Sequence, residues 1–496
     1  MSSTEEGGGA VGAPGGAVSN DQTITTNNNP LETIIPMPDT DFTLSKGELE
    51  NLRSLDESFD GNQLDPNAKP LIRRVPSTLG CHEDFRKYFK PKVIQIGPLH
   101  NDDPTLHGSQ NLKQNLVKCF TKNIGVNTKT LYENMKKEID GLKKCYDPKE
   151  LEKYSNGKEK LAWILFVDGC AILQAVYIRY GQDYNSTLIE RCTIKEMLTF
   201  EYSDLFLLEN QLPFRVLELL TSSSKNGEKF MKAIKRFIDY TVITPAEMKE
   251  SQSHQQDSEW WPQQEGERIH LLHLLRVRLL FNKEKKENPW RHSRFCTRFF
   301  MYLINRSNQT RTKGHHSHTL RNVKELKKAG IRLKASETSC LTDISFNRFF
   351  FVGNLWLPPI TVDDSTMNLI AYEMCPDFYN NFTVTSYMGF LVSLINEAEN
   401  VQELRDAGVL HNRLTSDEEV VKLFNKMNTD LVPSPMIYSY VKQQIHNHRE
   451  NMWSKYPAQA FHTCFRTRWT FFAFVGAIAT LFVSSLQTHY TIHQPK

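Results

Sequence analysis

Six polar side chains interrupt apolar stretches of the sequence, and they are the first candidates for chemistry. Asp168 lies inside the run Lys158–Tyr180, two residues before Cys170. A thiol near an acid becomes a nucleophile only if a base approaches it in the fold. The expectation here is a core helix whose thiol packs as a small hydrophobe. Asp204 begins the apolar part of the run 200–221, and Glu209, Asn210 and Gln211 stand just before Pro213 within it. This run reads as two helices meeting at the proline. Such a break leaves backbone groups unpaired, and these three side chains are expected to satisfy them. Glu373 closes the stretch Asn368-Leu369-Ile370-Ala371-Tyr372. If Asp168, Glu209 and Glu373 met in one pocket with strongly perturbed pKa values, they would mark an enzyme, of a reaction the sequence does not name. Bound separately to backbone, they would not. That enzyme is the alternative to a non-catalytic protein.

Other constellations carry less. His270 and His273 could share a metal, but the sequence points to no third ligand, so both read as core histidines. His315, His316 and His318 form only a weak basic cluster. Asp363-Asp364, after Leu357-Pro358-Pro359, could hold a cation but is expected to cap a turn or the next helix. Gly7, Gly9 and Gly12 spell GxGxxG, yet no strand precedes them and no helix follows, which removes the geometry a nucleotide loop needs. The sequence contains no GxSxG, HExxH or GxxxxGK[ST]. Its nine cysteines are scattered without a CxxC pair, which is neither a disulfide framework nor a zinc module. No catalytic, metal-binding or cofactor-binding residue is assigned, and no cofactor is expected.

The elements that must position these residues are mostly helical. The first 45 residues are Gly, Ser, Thr, Asn and Pro with few large apolar side chains, a composition expected to stay disordered. Ser45 and Glu48 then form a capping-box pattern ahead of a helix reaching towards Phe59. Val93–Ile96 reads as a short strand stopped by Gly97-Pro98. Helices are expected from about Gln110 to Cys145, over Lys158–Tyr180 as buried core, over Lys232–Tyr240, over Ile269–Phe281 and over Val323–Ala329 with Gly330 as its C-cap. The best β signal is 341–362, with a turn at Gly353-Asn354. Helices follow over 366–375, 384–396, 417–427 and roughly 436–455. Two stretches read as insertions: the polar 250–266 and the basic, aromatic 288–324, which has no acidic residue.

The last apolar stretch differs from all others. Trp469–Leu486 is eighteen residues without a formal charge, and a bilayer core takes roughly 20 residues at 1.5 Å rise. A transmembrane helix is expected there, presenting Trp469, Phe471, Phe472, Phe474, Val475, Ile478, Leu481, Phe482, Val483 and Leu486 to lipid. The sequence shows no secretory signal, so the helix reads as a tail anchor. Lys455, Arg466 and Arg468 precede it and only Lys496 follows, a bias that puts the large N-terminal part in the cytosol. The net charge of +3 argues for no nucleic-acid partner. The partners expected are the lipid bilayer and a protein.

Taken in order, the motifs resemble the plant DUF247 family, also called UPF0481. The blocks are Val75-Pro76…Leu79, Phe89–His100, Val167–Leu173, Asp204–Phe214, His270–Leu274, Glu325-Leu326 to Ile331, Leu357-Pro358 to Asp364, Asn368–Glu373, Ser386-Tyr387 and Ser416–Asn425. Departures are Met367, where members often have Arg, and Asn101, where a second His and a Gly are usual. With the β signal of 341–362, the expected fold is mainly α, a large helical body with a short β-hairpin, and the resemblance implies a mostly helical body followed by a C-terminal membrane helix. It also implies a kinship with grass proteins linked to self-incompatibility. The expected organisation is therefore a disordered region 1–45, a helical domain 46–462, and an anchor with a short tail at 463–496.

Overall fold

A computed structural model of the chain describes residues 44–61, 68–80, 83–181, 201–242, 260–264, 266–282, 322–349, 352–378, 380–431, 433–450 and 468–492. All but the last two residues of the expected disordered region, and most of the insertions 250–266 and 288–324, lie outside these residues. The chain divides into two units, Met1–Gln63 and Leu64–Lys496. In the first, helix α1 (Lys46–Gly61) starts on a capping box. The Ser45 N–H donates to Glu48 Oε2 at 2.7 Å and the Glu48 N–H to Ser45 Oγ at 3.3 Å.

The second unit is mainly helical with a small sheet. Its N-terminal half carries α2 (Glu83–Phe89), α3 (Ser109–Ile124), α4 (Thr128–Lys137), α5 (Lys158–Tyr180), α6 (Phe214–Ser222), α7 (Gly227–Val242) and α8 (Leu271–Leu280). Its C-terminal half carries β1 (Ile331–Ala335), β2 (Ser345–Phe349), β3 (Val352–Leu357), β4 (Ile360–Val362), α9 (Asp364–Glu373), α10 (Thr383–Val392), α11 (Ala398–Asp406), β5 (Leu410–Asn412), α12 (Asp417–Asp430), α13 (Ser439–Glu450) and α14 (Arg468–Ile492).

The core is built around α5, as its apolar composition predicts. This helix is apolar on nearly all sides, and α3, α4, α6 and α7 pack around it. Among the described residues it alone is long and apolar enough to cross a membrane, and it is buried in the body. Gly169 lets α6 approach: a Cβ there would lie 2.7 Å from both Leu220 and Val216 side chains. The expected helix from Gln110 to Cys145 is instead broken at Gly125, whose φ of +70° caps α3, and restarts where Asn127 caps α4.

Three further expectations change. Val93–Ile96 is not a strand: it is irregular backbone that bends at Val93. The residues before Pro213 are not a helix: a single 3-10 turn, Tyr202–Phe206, gives way to irregular backbone, and α6 begins only at Phe214. Gly353-Asn354 is not a turn but lies inside β3, antiparallel to β2 and parallel to β1. The Phe346 ring packs against Gly353, where a Cβ would lie 2.7 Å from it, so this glycine marks close packing. Strand β1 was not expected at all, nor was the parallel pair β4–β5. The ten expected membrane-facing residues all fall in α14. Its apolar stretch of described residues, Gly476–Thr488, is shorter than a bilayer crossing.

Candidate functional site

Three of the six polar residues singled out in the sequence, Asp168, Asp204 and Asn210, converge on one segment, Lys92–Gly97, buried from Ile94 onwards. Its backbone is irregular, bending at Lys92, Val93 and Gly97, and no strand lies beside it to take its amides. Buried backbone N–H groups must be paired, and here side chains do it. Asp204 Oδ1 accepts from the Lys92 N–H at 3.0 Å, and its Oδ2 accepts from Val93 at 2.8 Å and Ile94 at 2.9 Å. Asn210 accepts from the Ile96 N–H at 2.7 Å and donates to the carbonyls of Ile94 and Asp204 at 3.0 and 2.8 Å. Asp168 accepts from the Gly97 N–H at 2.8 Å. Gly97 sits at φ +73°, and a Cβ on it would lie 2.8 Å from the Gln211 carbonyl. Only glycine fits that approach.

A buried cation completes this arrangement. Lys113, on α3, places its Nζ 2.5 Å from Asp168 Oδ1, and both side chains are almost wholly buried. The same ammonium donates to Gln95 Oε1 at 3.0 Å, and Gln95 in turn donates to the Gly97 carbonyl at 2.5 Å. Burial nevertheless pushes the Asp168 carboxyl up from its ordinary value, against the pull of Lys113 and the Gly97 amide. Burial likewise raises Asp204, opposed by its three backbone donors.

The remaining candidates point elsewhere. Gln211 donates to the carbonyls of Leu205 and Leu207 at 2.8 and 2.7 Å and accepts from the Leu272 N–H at 3.1 Å, tying the irregular segment to the start of α8. Glu209 faces the opposite way. It accepts from the Val75 N–H at 3.0 Å, with His100 Nε2 at 3.0 Å and Arg74 at 3.5 Å. Burial opposes its charge, but His100, the Val75 amide and Arg74 outweigh it and hold the carboxyl below its ordinary range. Glu373 is fully buried at the end of α9 and belongs to another site. It meets Arg276 at 2.8 Å and accepts from the Thr385 N–H and hydroxyl at 2.8 Å each, fixing the start of α10. The six candidates are thus spread over four places.

The weaker candidates also resolve locally. Cys170 is buried, and burial pushes its thiol well above the ordinary value. His270 is the N-cap of α8: its Nδ1 accepts from the His273 N–H at 3.1 Å. His273 Nδ1 lies 2.7 Å from the Tyr372 hydroxyl. Burial lowers both imidazoles, His273 to about 4. Asp363 caps α9 in a capping box with Thr366. Among the described residues no group of three or more His, Cys, Asp or Glu could hold a metal. A cavity of about 50 Å³ lies between Leu275, Leu279, Ile360, Asp363 and Leu369.

Three participants were not singled out beforehand: Lys113, Gln95 and Asn368. Lys113 lies on the apolar stripe of α3 with Leu116, Phe120 and Ile124, and a cation on such a stripe demands a buried acid. Asn368 accepts from the Leu208 N–H at 2.7 Å and donates to the Tyr88 and Asp364 carbonyls at 2.7 and 2.8 Å. It joins α9 to α2 and to the irregular segment.

Comparison with known proteins places this arrangement. No solved structure matches the chain. UPF0481 protein At3g47200 of Arabidopsis thaliana is 25% identical over 437 residues, covering 85% of this chain and 86% of the relative. Putative UPF0481 protein At3g02645 of the same plant is 23% identical over 507 residues, covering 88% and 92%. The profile described as DUF247, plant protein of unknown function, matches residues 72–483, which take in Lys92–Gly97, every polar side chain that holds it and most of α14. The chain belongs to the DUF247 family of plant proteins.

Proposed function

We propose that this protein is a non-catalytic recognition or scaffold protein held at a membrane by α14. One observation carries the membrane part. The described side chains of α14 from Gly476 to Leu486 are exposed on every side of the helix. They include Ile478, Leu481, Phe482, Val483 and Leu486. A helix that is apolar all round is stable buried in protein or in lipid, and this one is not buried in protein. The non-catalytic part is supported by the commitments of the six candidates: Asp168, Asp204, Asn210, Gln211 and Glu373 are bound to buried backbone, and Glu209 to the Val75 amide, His100 and Arg74. A self-incompatibility role would be a special case of this reading.

The test is fractionation of the tagged full chain beside a version ending at Pro457, with carbonate extraction and glycosidase treatment. The full chain is expected to stay in carbonate-washed membranes, unshifted by glycosidase, and the shortened one to be released. Release of both would overturn the membrane reading. A glycosidase shift of the full chain would turn the body away from the cytosol.

A further inference from the structure

The sheet of β1, β3 and β2 has one covered face and one open face. Burial alternates along β3, where Gly353, Leu355 and Leu357 point into the body. Phe346 of β2 turns the same way, with its ring 5.5 Å from the imidazole of His448 on α13. The alternate residues point outward, and the strand register sets them in rows. Arg332, Asn354 and Asn347 form the middle row, from β1 across β3 to β2. Lys334 and Trp356 are neighbours in the row at one end. Phe349, 65% exposed, stands in the row at the other end.

These outward groups are uncommitted. The side chains of Arg332, Asn347 and Asn354 make no hydrogen bond or ion pair among the described residues. Lys334 has no carboxylate partner there either, and its ammonium lies 4.9 Å over the Trp356 ring. Other exposed lysines sit beside acids, as Lys136 does with Glu159 and Lys324 with Glu397. Two cations without a counter-charge call for an anionic ligand, which excludes a neutral glycan. Two amides between two aromatic rings call for flat groups with donors and acceptors on their edges, which a lipid surface lacks. A single-stranded nucleic acid supplies both, since its bases stack on aromatic side chains of a sheet and its phosphates meet Arg and Lys. Phe349 and Trp356 stand roughly 13 Å apart along the strands, at about 3.3 Å per residue, with the amide row midway. A duplex keeps its base faces stacked and out of reach. The net charge of +3 is an average over the chain and does not describe this face. The run 288–324, which holds no acid, ends at Lys324 shortly before β1 and adds positive charge close along the chain, outside the site.

We propose that the outward face of this sheet binds single-stranded nucleic acid, with bases on Phe349 and Trp356, base edges on Asn347 and Asn354, and phosphates on Arg332 and Lys334. A phosphate that draws the Lys334 ammonium aside bares the Trp356 ring. The proposal rests on the recognition reading above, whose ligand class it names, and not on the anchor. The test is fluorescence anisotropy of the detergent-solubilised full chain with labelled mixed-sequence oligonucleotides of about 12 nucleotides: single-stranded RNA, single-stranded DNA and duplex DNA. At least one single strand is expected to bind about tenfold more tightly than the duplex, and the two arms tell RNA from DNA. Phe349→Ala, at an exposed position, should weaken that binding about tenfold and leave the thermal midpoint in place. Arg332→Gln and Lys334→Gln should each reduce the salt slope of the affinity by about 0.7. Arg332→Gln, which removes no bond within the protein, decides the matter where Phe349→Ala fails to fold. Binding of neither single strand, equal affinity for the duplex, or binding that these variants leave unchanged would overturn the proposal. If polygalacturonate binds in a Phe349-dependent way and the oligonucleotides do not, the face reads an acidic glycan and the nucleic-acid assignment falls. Cleavage of the recovered oligonucleotide by the intact chain would overturn the non-catalytic reading, while Phe349-dependent binding upholds the face.

Discussion

Around Lys92–Gly97 the chain buries polar groups, and along Gly476–Leu486 it exposes apolar ones. The two regions invert the usual rule in opposite directions, and each inversion has its own physical reason. The segment has no strand beside it, so its buried amides, those of Ile94, Ile96 and Gly97, would be orphaned without Asp204, Asn210 and Asp168, and an unpaired buried amide costs about 1–3 kcal/mol. The exposed helix satisfies all its amides internally and leaves only its side chains without an environment. The comparison teaches where to look for function in this chain. Asp168, Asp204, Asn210 and Gln211 are occupied in holding backbone, and the exposed apolar surface of α14 lies outside the core.

The sharpest way to break this comparison is to remove one charge from the buried pair. Lys113→Met leaves Asp168 buried without its counter-charge, and the guanidinium midpoint should fall by an amount equivalent to about 3–5 kcal/mol. Combining it with Asp168→Asn keeps an acceptor for the Gly97 amide and should recover most of that loss. A single variant as stable as the parent would mean that the pair does not hold the segment.

A somewhat smaller effect is expected from pH. His273 is neutral in the fold, with its pKa lowered from 6.5 to about 4 by burial. Below pH 6.5 the unfolded chain binds a proton there that the folded chain does not, so stability falls as pH drops from 6.5 towards 4. The loss is about 3 kcal/mol across that window. His273→Gln should remove its share of this slope and leave the shares of His270 and His448, whose imidazoles burial also lowers. Glu209 acts with the same sign at lower pH. Its folded pKa is depressed below 4.5, so its contribution is present above that value and is lost as pH falls through the folded pKa.

The smallest effect is predicted for the other region. Leu481→Ala on the exposed helix should change the unfolding midpoint of the body by less than about 0.5 kcal/mol, as for surface positions in general. A large destabilisation would show that α14 packs on the body, which would dissolve the contrast between the two regions.

Much of the fold was legible in the sequence. Lys158–Tyr180 read as core because Asp168 and Glu159 are its only acids amid continuous apolar residues, and the capping box at Ser45 and Glu48 followed from spacing alone. The cap at Asp363 ahead of α9 was nearly as clear. What sequence could not give was the competition between side chain and strand. Val93–Ile96 has β composition, but its partners are a carboxylate and an amide more than a hundred residues away. For the same reason the stretch before Pro213 is not helical: Asn210 and Gln211 bond to backbone that a helix would have kept for itself. Lys113 could have been found, since a lone cation on the apolar face of α3 and a lone acid inside α5 call for each other. Strand β1 gave no periodic signal, because Ile331 is its one fully buried residue.

The account turns on whether polar side chains alone keep Lys92–Gly97 in place, and amide hydrogen exchange measures this directly. In the intact chain the amides of Lys92, Val93, Ile94, Ile96 and Gly97 should exchange as slowly as those of α5. In Asp204→Ala the first three should quicken, while Ile96 and Gly97, held by Asn210 and Asp168, should stay slow longer. Exchange of all five at the rate of an open loop in the intact chain would contradict the account.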